Sequence, residues 1–125
     1  MVELDGTSGG TQPTIAVVDD DAGVCRALAR LLRTTGFAVR TYCSAEEFLA
    51  LGRRGKVDCL VLDVYLGGMT GFDLHTELLA AGAAPPTLFL TAHDECGGDV
   101  PCLRKPVEDT TLLEAITALV NSPKH

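Results

Sequence analysis

Two short apolar runs, each stopping abruptly at aspartate, constrain this chain more than any other feature. Ile15-Ala16-Val17-Val18 ends at Asp19-Asp20-Asp21, and Cys59-Leu60-Val61-Leu62 ends at Asp63. Runs this short and apolar at every position suit strands of a parallel sheet covered on both faces. Amphipathic stretches separate them. Val24, Leu28, Leu31, Leu32 and Thr35 recur at helical spacing, and Gly36 closes the pattern. Phe37 to Cys43 reads as a second strand. Ser44 and Glu47 have capping-box spacing ahead of Phe48, Leu49 and Leu51, and Gly52 to Gly55 ends that helix.

Beyond Asp63, a loop with Gly67, Gly68 and Gly71 leads into a helix carrying Leu74, Leu78 and Ala81, ended by Pro85-Pro86. Thr87 to Leu90 forms a fourth strand ending at Thr91. Cys102-Leu103 forms a short fifth strand before Lys105-Pro106. Leu112, Leu113, Ile116, Leu119 and Val120 mark a last helix, with Pro123 beyond it. The alternation predicts an α/β fold: a five-stranded parallel sheet in the order 2-1-3-4-5 with helices on both faces. Residues 1–13 read as a flexible tail, 14–121 as the domain and 122–125 as a short C-terminal tail. Only thirteen residues separate Thr91 from Lys105, and they show no apolar period. A parallel crossover needs about a dozen residues and usually a helix. The helix between the fourth and fifth strands is therefore expected to be absent or reduced to a turn.

Charge and cysteine usage narrow the function classes. The 125-residue chain carries a formal charge of −7, which repels nucleic acid phosphates. No apolar run approaches the roughly eighteen residues of a membrane span. The acidic start lacks the apolar core of a secretory leader. A cytoplasmic protein with no nucleic acid or membrane partner is expected. The five cysteines form no CxxC pair and read as small core hydrophobes, not disulfides. His93, Cys96 and Cys102 fit no usual zinc spacing.

In a doubly wound sheet, ligands bind beyond the carboxyl ends of the strands, where strand order reverses. That point lies between the first and third strands, so Asp19, Asp20 and Asp21 should meet Asp63. Crowded carboxylates stay ionised together only around a cation, and oxygen donors suit Mg²⁺ or Mn²⁺ over zinc. A carboxylate beside such an ion is a nucleophile for phosphoryl transfer. Thr91 and Lys105 bring a hydroxyl and an ammonium to the same rim, where both suit peripheral phosphoryl oxygens. Each residue alone has a plainer use. Aspartates after a strand cap helices, and a lone lysine is normally a solvated charge.

Together these residues resemble the receiver domain of response regulators, over about residues 14 to 120. Val17-Val18-Asp19-Asp20-Asp21 is similar to the acidic first-strand motif, Leu60-Val61-Leu62-Asp63 to the phosphoacceptor strand, and Gly71, Thr91-Ala92 and Lys105-Pro106 to the later motifs. The resemblance implies a flavodoxin-like three-layer sandwich. It implies phosphorylation of Asp63 by a sensor histidine kinase or phosphotransfer protein. Asp19, Asp20, Asp63 and the backbone carbonyl of Tyr65 would hold Mg²⁺ (or Mn²⁺). Thr91 and Lys105 would bind the phosphoryl group and switch, Ala92 would leave it room, and the bond before Pro106 would be cis. Tyr65 and His93 are candidates for setting the adduct's lifetime, with rim packing as the alternative. Such a protein signals and is not an ordinary enzyme, though it can catalyse its own phosphorylation and dephosphorylation.

Four departures stand out. Gly67 occupies a position that is often proline, and Cys102 one that is usually aromatic. The crossover after Thr91 is short, and the chain ends soon after its last helix. A single-domain regulator is expected, acting by contact with an unknown downstream protein or as a relay member or phosphate sink. A second copy covering the gap left by the missing helix would make it a homodimer. The alternative is a degenerate receiver that binds proteins without a phosphorylation-driven switch. A phosphatase resembling the haloacid dehalogenases would need an acid two residues after Asp63, where Tyr65 stands. A flavin phosphate would be repelled by the three aspartates. Arg26, Arg30 and Arg33 share one helix face, suited to kinase docking or simply solvated.

Overall fold

Among the described residues, nine elements follow the expected alternation: β1 (Thr14–Val18), α1 (Ala22–Thr35), β2 (Ala38–Tyr42), α2 (Ala45–Leu51), β3 (Cys59–Asp63), α3 (Gly71–Ala80), β4 (Thr87–Thr91), β5 (Cys102–Arg104) and α4 (Asp109–Val120). The computed structural model describes residues 12–52, 55–92 and 100–121. The sheet is wholly parallel, in the order β2-β1-β3-β4-β5. This is the 2-1-3-4-5 order expected from the sequence. Among the described residues there are four helices, none of them between β4 and β5. Residues 93–99, with His93 and Cys96, lie outside the described residues, as do most of the expected tails.

Side chains alternate across each strand, and this divides the core into two layers. Ile15, Val17, Cys59, Val61, Leu88 and Leu90 face one way and pack with Cys25 and Leu32 of α1 and Leu112 and Ile116 of α4. Ala16, Val18, Leu60, Leu62 and Phe89 face the other way and pack with Phe48 of α2 and Leu74 and Leu78 of α3. Both faces are apolar because both are covered. Full burial of each such side chain contributes about 1.5–3 kcal/mol against leaving it in water.

The helix ends follow from local chemistry. Asp21 Oδ1 accepts hydrogen bonds from Gly23 N–H (2.8 Å) and Val24 N–H (3.2 Å), capping α1. At the other end Gly36 adopts φ 109°, a left-handed conformation that a side chain would strain. Ser44 Oγ accepts from Glu47 N–H at 3.0 Å, as expected. The returning carboxylate of Glu47 bonds Cys43 N–H at 2.7 Å, not the N–H of Ser44. The reciprocal arm of that box thus lands one residue early. A full capping box forms instead between Thr70 and Asp73 at the start of α3.

The cysteines depart from expectation in one respect. Cys25 and Cys59 are buried and Cys43 is exposed, and all three are free thiols. Cys102, however, is disulfide-bonded. An odd count argues only that one cysteine stays unpaired, so it does not exclude a bridge. Burial, reinforced by nearby carboxylates, pushes the Cys25 thiol up to about 11 and the Cys59 thiol up to about 12. Thiolate is the reactive form. In the native protein iodoacetamide should therefore label Cys43 well before Cys25 or Cys59. Peptide mass spectrometry after timed alkylation checks the order, and urea should abolish it.

Candidate functional site

The same two-residue alternation builds the site. Asp19 and Asp63 continue the face that carries Val17 and Val61, and Lys105 continues the face that carries Leu103. Parallel pairing sets Val18 opposite Leu62 and Thr91 opposite Arg104, so these side chains meet at one rim. It is the rim where strand order reverses between β1 and β3.

Asp19 is 2% exposed and Asp63 is 7% exposed, while Asp20 faces solvent. One oxygen from each carboxylate lies within 4.8 Å of the others. Lys105 Nζ sits 3.0 Å from Asp19 Oδ2 and 3.5 Å from Asp63 Oδ2. Asp19 Oδ1 also accepts from Asp21 N–H at 2.9 Å, and Asp63 Oδ1 from Tyr65 N–H at 3.4 Å. Burial, together with the neighbouring charge of Asp19, raises the Asp63 carboxyl above its ordinary range, and Lys105 only partly offsets this. Burial works to lower the Lys105 ammonium, but its hydrogen bonds and charge pairing with Asp19 and Asp63 outweigh that and raise it. The arrangement has surplus negative charge facing water and one internal cation. All the donors are oxygens, the ligand set that suits a hard divalent ion.

The backbone holds this cluster from below. Asp19 N–H donates to the Tyr42 carbonyl at 3.1 Å, and the Cys25 thiol lies 3.3 Å from the Asp19 carbonyl. Lys105 N–H donates to the Thr91 carbonyl at 2.7 Å, and the Lys105–Pro106 bond is cis. Thr91 is fully buried at the end of β4, and Ala92 is exposed beside it. Tyr65 is 46% exposed on the loop after β3. Gly71 N–H donates to the Val64 carbonyl at 2.8 Å, so α3 starts directly against the end of β3. A Cβ at Gly71 would collide with the carbonyl of Asp63. Gly67 adopts φ 82°, and a Cβ there would lie 3.5 Å from Asp20 Oδ2.

A family model described as "Response regulator receiver domain" matches residues 15–117. The chain belongs to the response regulator receiver family. Among curated relatives, this receiver is 37% identical over 120 residues to nodulation protein W of Bradyrhizobium diazoefficiens, covering 90% of this chain and 53% of that protein. It is 35% identical over 116 residues to the transcriptional regulatory protein FixJ of Azorhizobium caulinodans, covering 83% and 53% respectively. The chain thus spans about half the length of these relatives. A solved response regulator receiver protein from Burkholderia phymatum superposes with a TM-score of 0.75 at 39% identity, covering 87% of this chain and 95% of that one.

Of the residues singled out in the sequence, the structure brings Asp19, Asp20, Asp63 and Lys105 into one cluster, with Thr91, Ala92 and Tyr65 on its rim. The three consecutive aspartates divide the work. Asp19 and Asp20 enter the receiver's cluster and Asp21 caps α1, so the plain and the functional uses of such a run both occur. Sequence reasoning missed the parts of Tyr42, which acts through its backbone carbonyl, and Cys25, whose thiol meets the Asp19 carbonyl; neither leaves a motif.

A divalent cation should relieve the repulsion within the cluster. Scanning calorimetry should show Mg²⁺ raising the unfolding temperature. A ligand at a hundred times its dissociation constant stabilises by about 2.7 kcal/mol. Asp63→Asn should unfold at a higher temperature than the metal-free parent and respond little to Mg²⁺. Gly71→Ala should cost about 1–3 kcal/mol by overpacking against Asp63, and weaken the Mg²⁺ response with it.

Proposed function

We propose that residues 14–121 form a working receiver that takes a phosphoryl group onto Asp63 from a phosphohistidine of a sensor kinase or phosphotransfer protein. One observation carries this reading: three carboxylates from two strand ends cluster with Lys105 bridging the two buried ones. Structural ion pairs do not ordinarily gather a surplus of buried acid at an open rim.

In this reading an Asp63 carboxylate oxygen attacks phosphorus, the phosphorus–nitrogen bond breaks, and the imidazole leaves with the electron pair. An aspartyl phosphate and a free histidine result. Lys105 already points at Asp63 and turns its ammonium to a phosphoryl oxygen as charge moves outward. Thr91 offers its hydroxyl to another such oxygen, and Ala92 leaves the space a larger side chain would fill. Asp19, Asp20, Asp63 and the Tyr65 carbonyl would hold Mg²⁺ (or Mn²⁺), which when bound neutralises charge on the attacking and transferred oxygens. Tyr65, exposed beside Asp63, is placed to govern water's approach to the adduct. An apolar groove of about 490 Å³ between α1 and α4, lined by Val24, Leu28, Ala92, Pro106 and Leu112, opens beside Lys105. It gives the phosphodonor protein a seat next to Asp63.

No helix among the described residues is long and apolar enough to cross a membrane. We take the protein to act in the cytoplasm by contact with a downstream protein or as a relay member. A second reading has one observation in its favour. Cys102, three residues before Lys105 and disulfide-bonded, supplies no ring to move with Thr91. The domain would then bind partners without a phosphorylation-driven switch.

Incubation with acetyl phosphate and Mg²⁺ should give a mass increase of one phosphoryl group that is lost in base. Asp63→Asn should abolish it, and persistence of the adduct in that variant refutes the assignment. Lys105→Met should slow its formation by tenfold or more, on the order expected for loss of one electrostatic contact. Amide shifts that change with beryllofluoride only at the pocket would favour the second reading.

A further inference from the structure

We propose that the groove between α1 and the edge of β2 that no described strand pairs docks a short acidic segment of a partner protein, gripped by Arg26, Arg30 and Arg33. The inference is independent of the phosphorylation chemistry and concerns a different surface. At 100° per residue, these arginines lie on the side of α1 opposite Val24 and Leu28, which line the apolar groove toward α4. Their own groove holds about 440 Å³ and is walled by Ala29, Thr34 and Thr41 besides the arginines.

Charge is the first argument. All three arginines are exposed, and none forms an ion pair with a carboxylate among the described residues. Three uncompensated cations on a chain of formal charge −7 are unusual enough to ask for a counterpart. Against a net negative chain, an acidic segment is drawn toward this strip by its local positive charge. Guanidiniums are suited to carboxylates, which they can bind in a fork geometry.

The strip's dimensions and its wall favour a peptide over a nucleic acid. Arg26 to Arg33 span about 10 Å along the helix at 1.5 Å per residue, three or so residues of extended chain. A longer polyanion would run off the strip onto acidic surface. The wall is an edge strand. Ala38 N–H donates to Pro13 and the Tyr42 carbonyl accepts from Asp19, so residues 38, 40 and 42 turn their backbone groups inward to β1. By alternation, Val39 and Thr41 turn theirs to the edge that no described strand pairs. Arg33 Nη2 already donates to the Val39 carbonyl at 3.4 Å. Thr41 directs its N–H and carbonyl outward beside the arginines, where an extended peptide can use them.

The test uses the full chain and a fluorescein-labelled ten-residue peptide of alternating glutamate and valine, read by anisotropy. Saturable binding is expected at low ionic strength, weakening steeply as salt rises through roughly 0.05 to 0.2 M. Arg30→Glu with Arg33→Glu should reduce affinity by about tenfold or more, while Arg30→Lys with Arg33→Lys should keep most of it. Acetyl phosphate labelling of Asp63 should be unchanged in both variants, which separates this surface from the phosphorylation site. With the unsubstituted protein, amide shifts should map to α1 and β2. Absence of saturable binding, equal affinity of the charge-reversed variant, shifts confined to other elements, or an equally tight complex with a ten-residue oligothymidylate would each overturn the proposal.

Discussion

The contact on which the site depends is the ammonium of Lys105 set between Asp19 and Asp63. Two carboxylates, both largely out of water, approach each other at neighbouring strand ends, and burial together with the charge of Asp19 raises the Asp63 carboxyl. Lys105 answers part of that cost, 3.0 Å from one and 3.5 Å from the other. Its position is a consequence of β5, whose pairing with β4 fixes how far the lysine can reach. The fifth strand has only three residues, yet it delivers, as the residue directly after it, the lysine that bridges the acidic pair. The net result still leaves Asp63 raised, so the cluster retains an appetite for positive charge at its solvent side. That residual demand, and not any single aspartate, is what suits the rim to a hard divalent cation.

Much of this was legible in the sequence because strands have a period of two. Once Ile15–Val18 and Cys59–Leu62 are taken as adjacent parallel strands, Asp19 and Asp63 must share a face and a rim. No coordinate is needed for that step. The helices were legible for the complementary reason: α1 and α4 repeat their apolar residues at helical spacing against a continuous apolar sheet. The division of Asp19-Asp20-Asp21 was not legible. Nothing in three identical residues says which one turns inward, and the choice is made by backbone hydrogen bonds from Gly23, Val24 and Asp21 itself.

Other features escaped because their cause lies in distance, not pattern. Gly71 reads as one more loop glycine, but the start of α3 presses on the Asp63 carbonyl so closely that no side chain fits. The disulfide at Cys102 escaped because an odd cysteine count leaves pairing of the others open. Glu47 shows the smaller version of the same limit. The spacing promised a reciprocal cap, and the carboxylate took the neighbouring N–H of Cys43 because a side chain of that reach has both within range.

Helix α1 joins these threads. One side, through Cys25, Ala29 and Leu32, is buried against the sheet, and the Cys25 thiol reaches the backbone of Asp19. A second side, with Val24 and Leu28, borders the groove beside Lys105. The third carries the arginines toward the edge of β2. A single helix with three differently built sides thus separates two grooves, one apolar and one lined by arginines. Because Asp21 caps the helix two residues after Asp19, displacing α1 would disturb the backbone that positions Asp19. The cap and the Cys25 thiol thus tie the seating of α1 on the sheet to the position of Asp19.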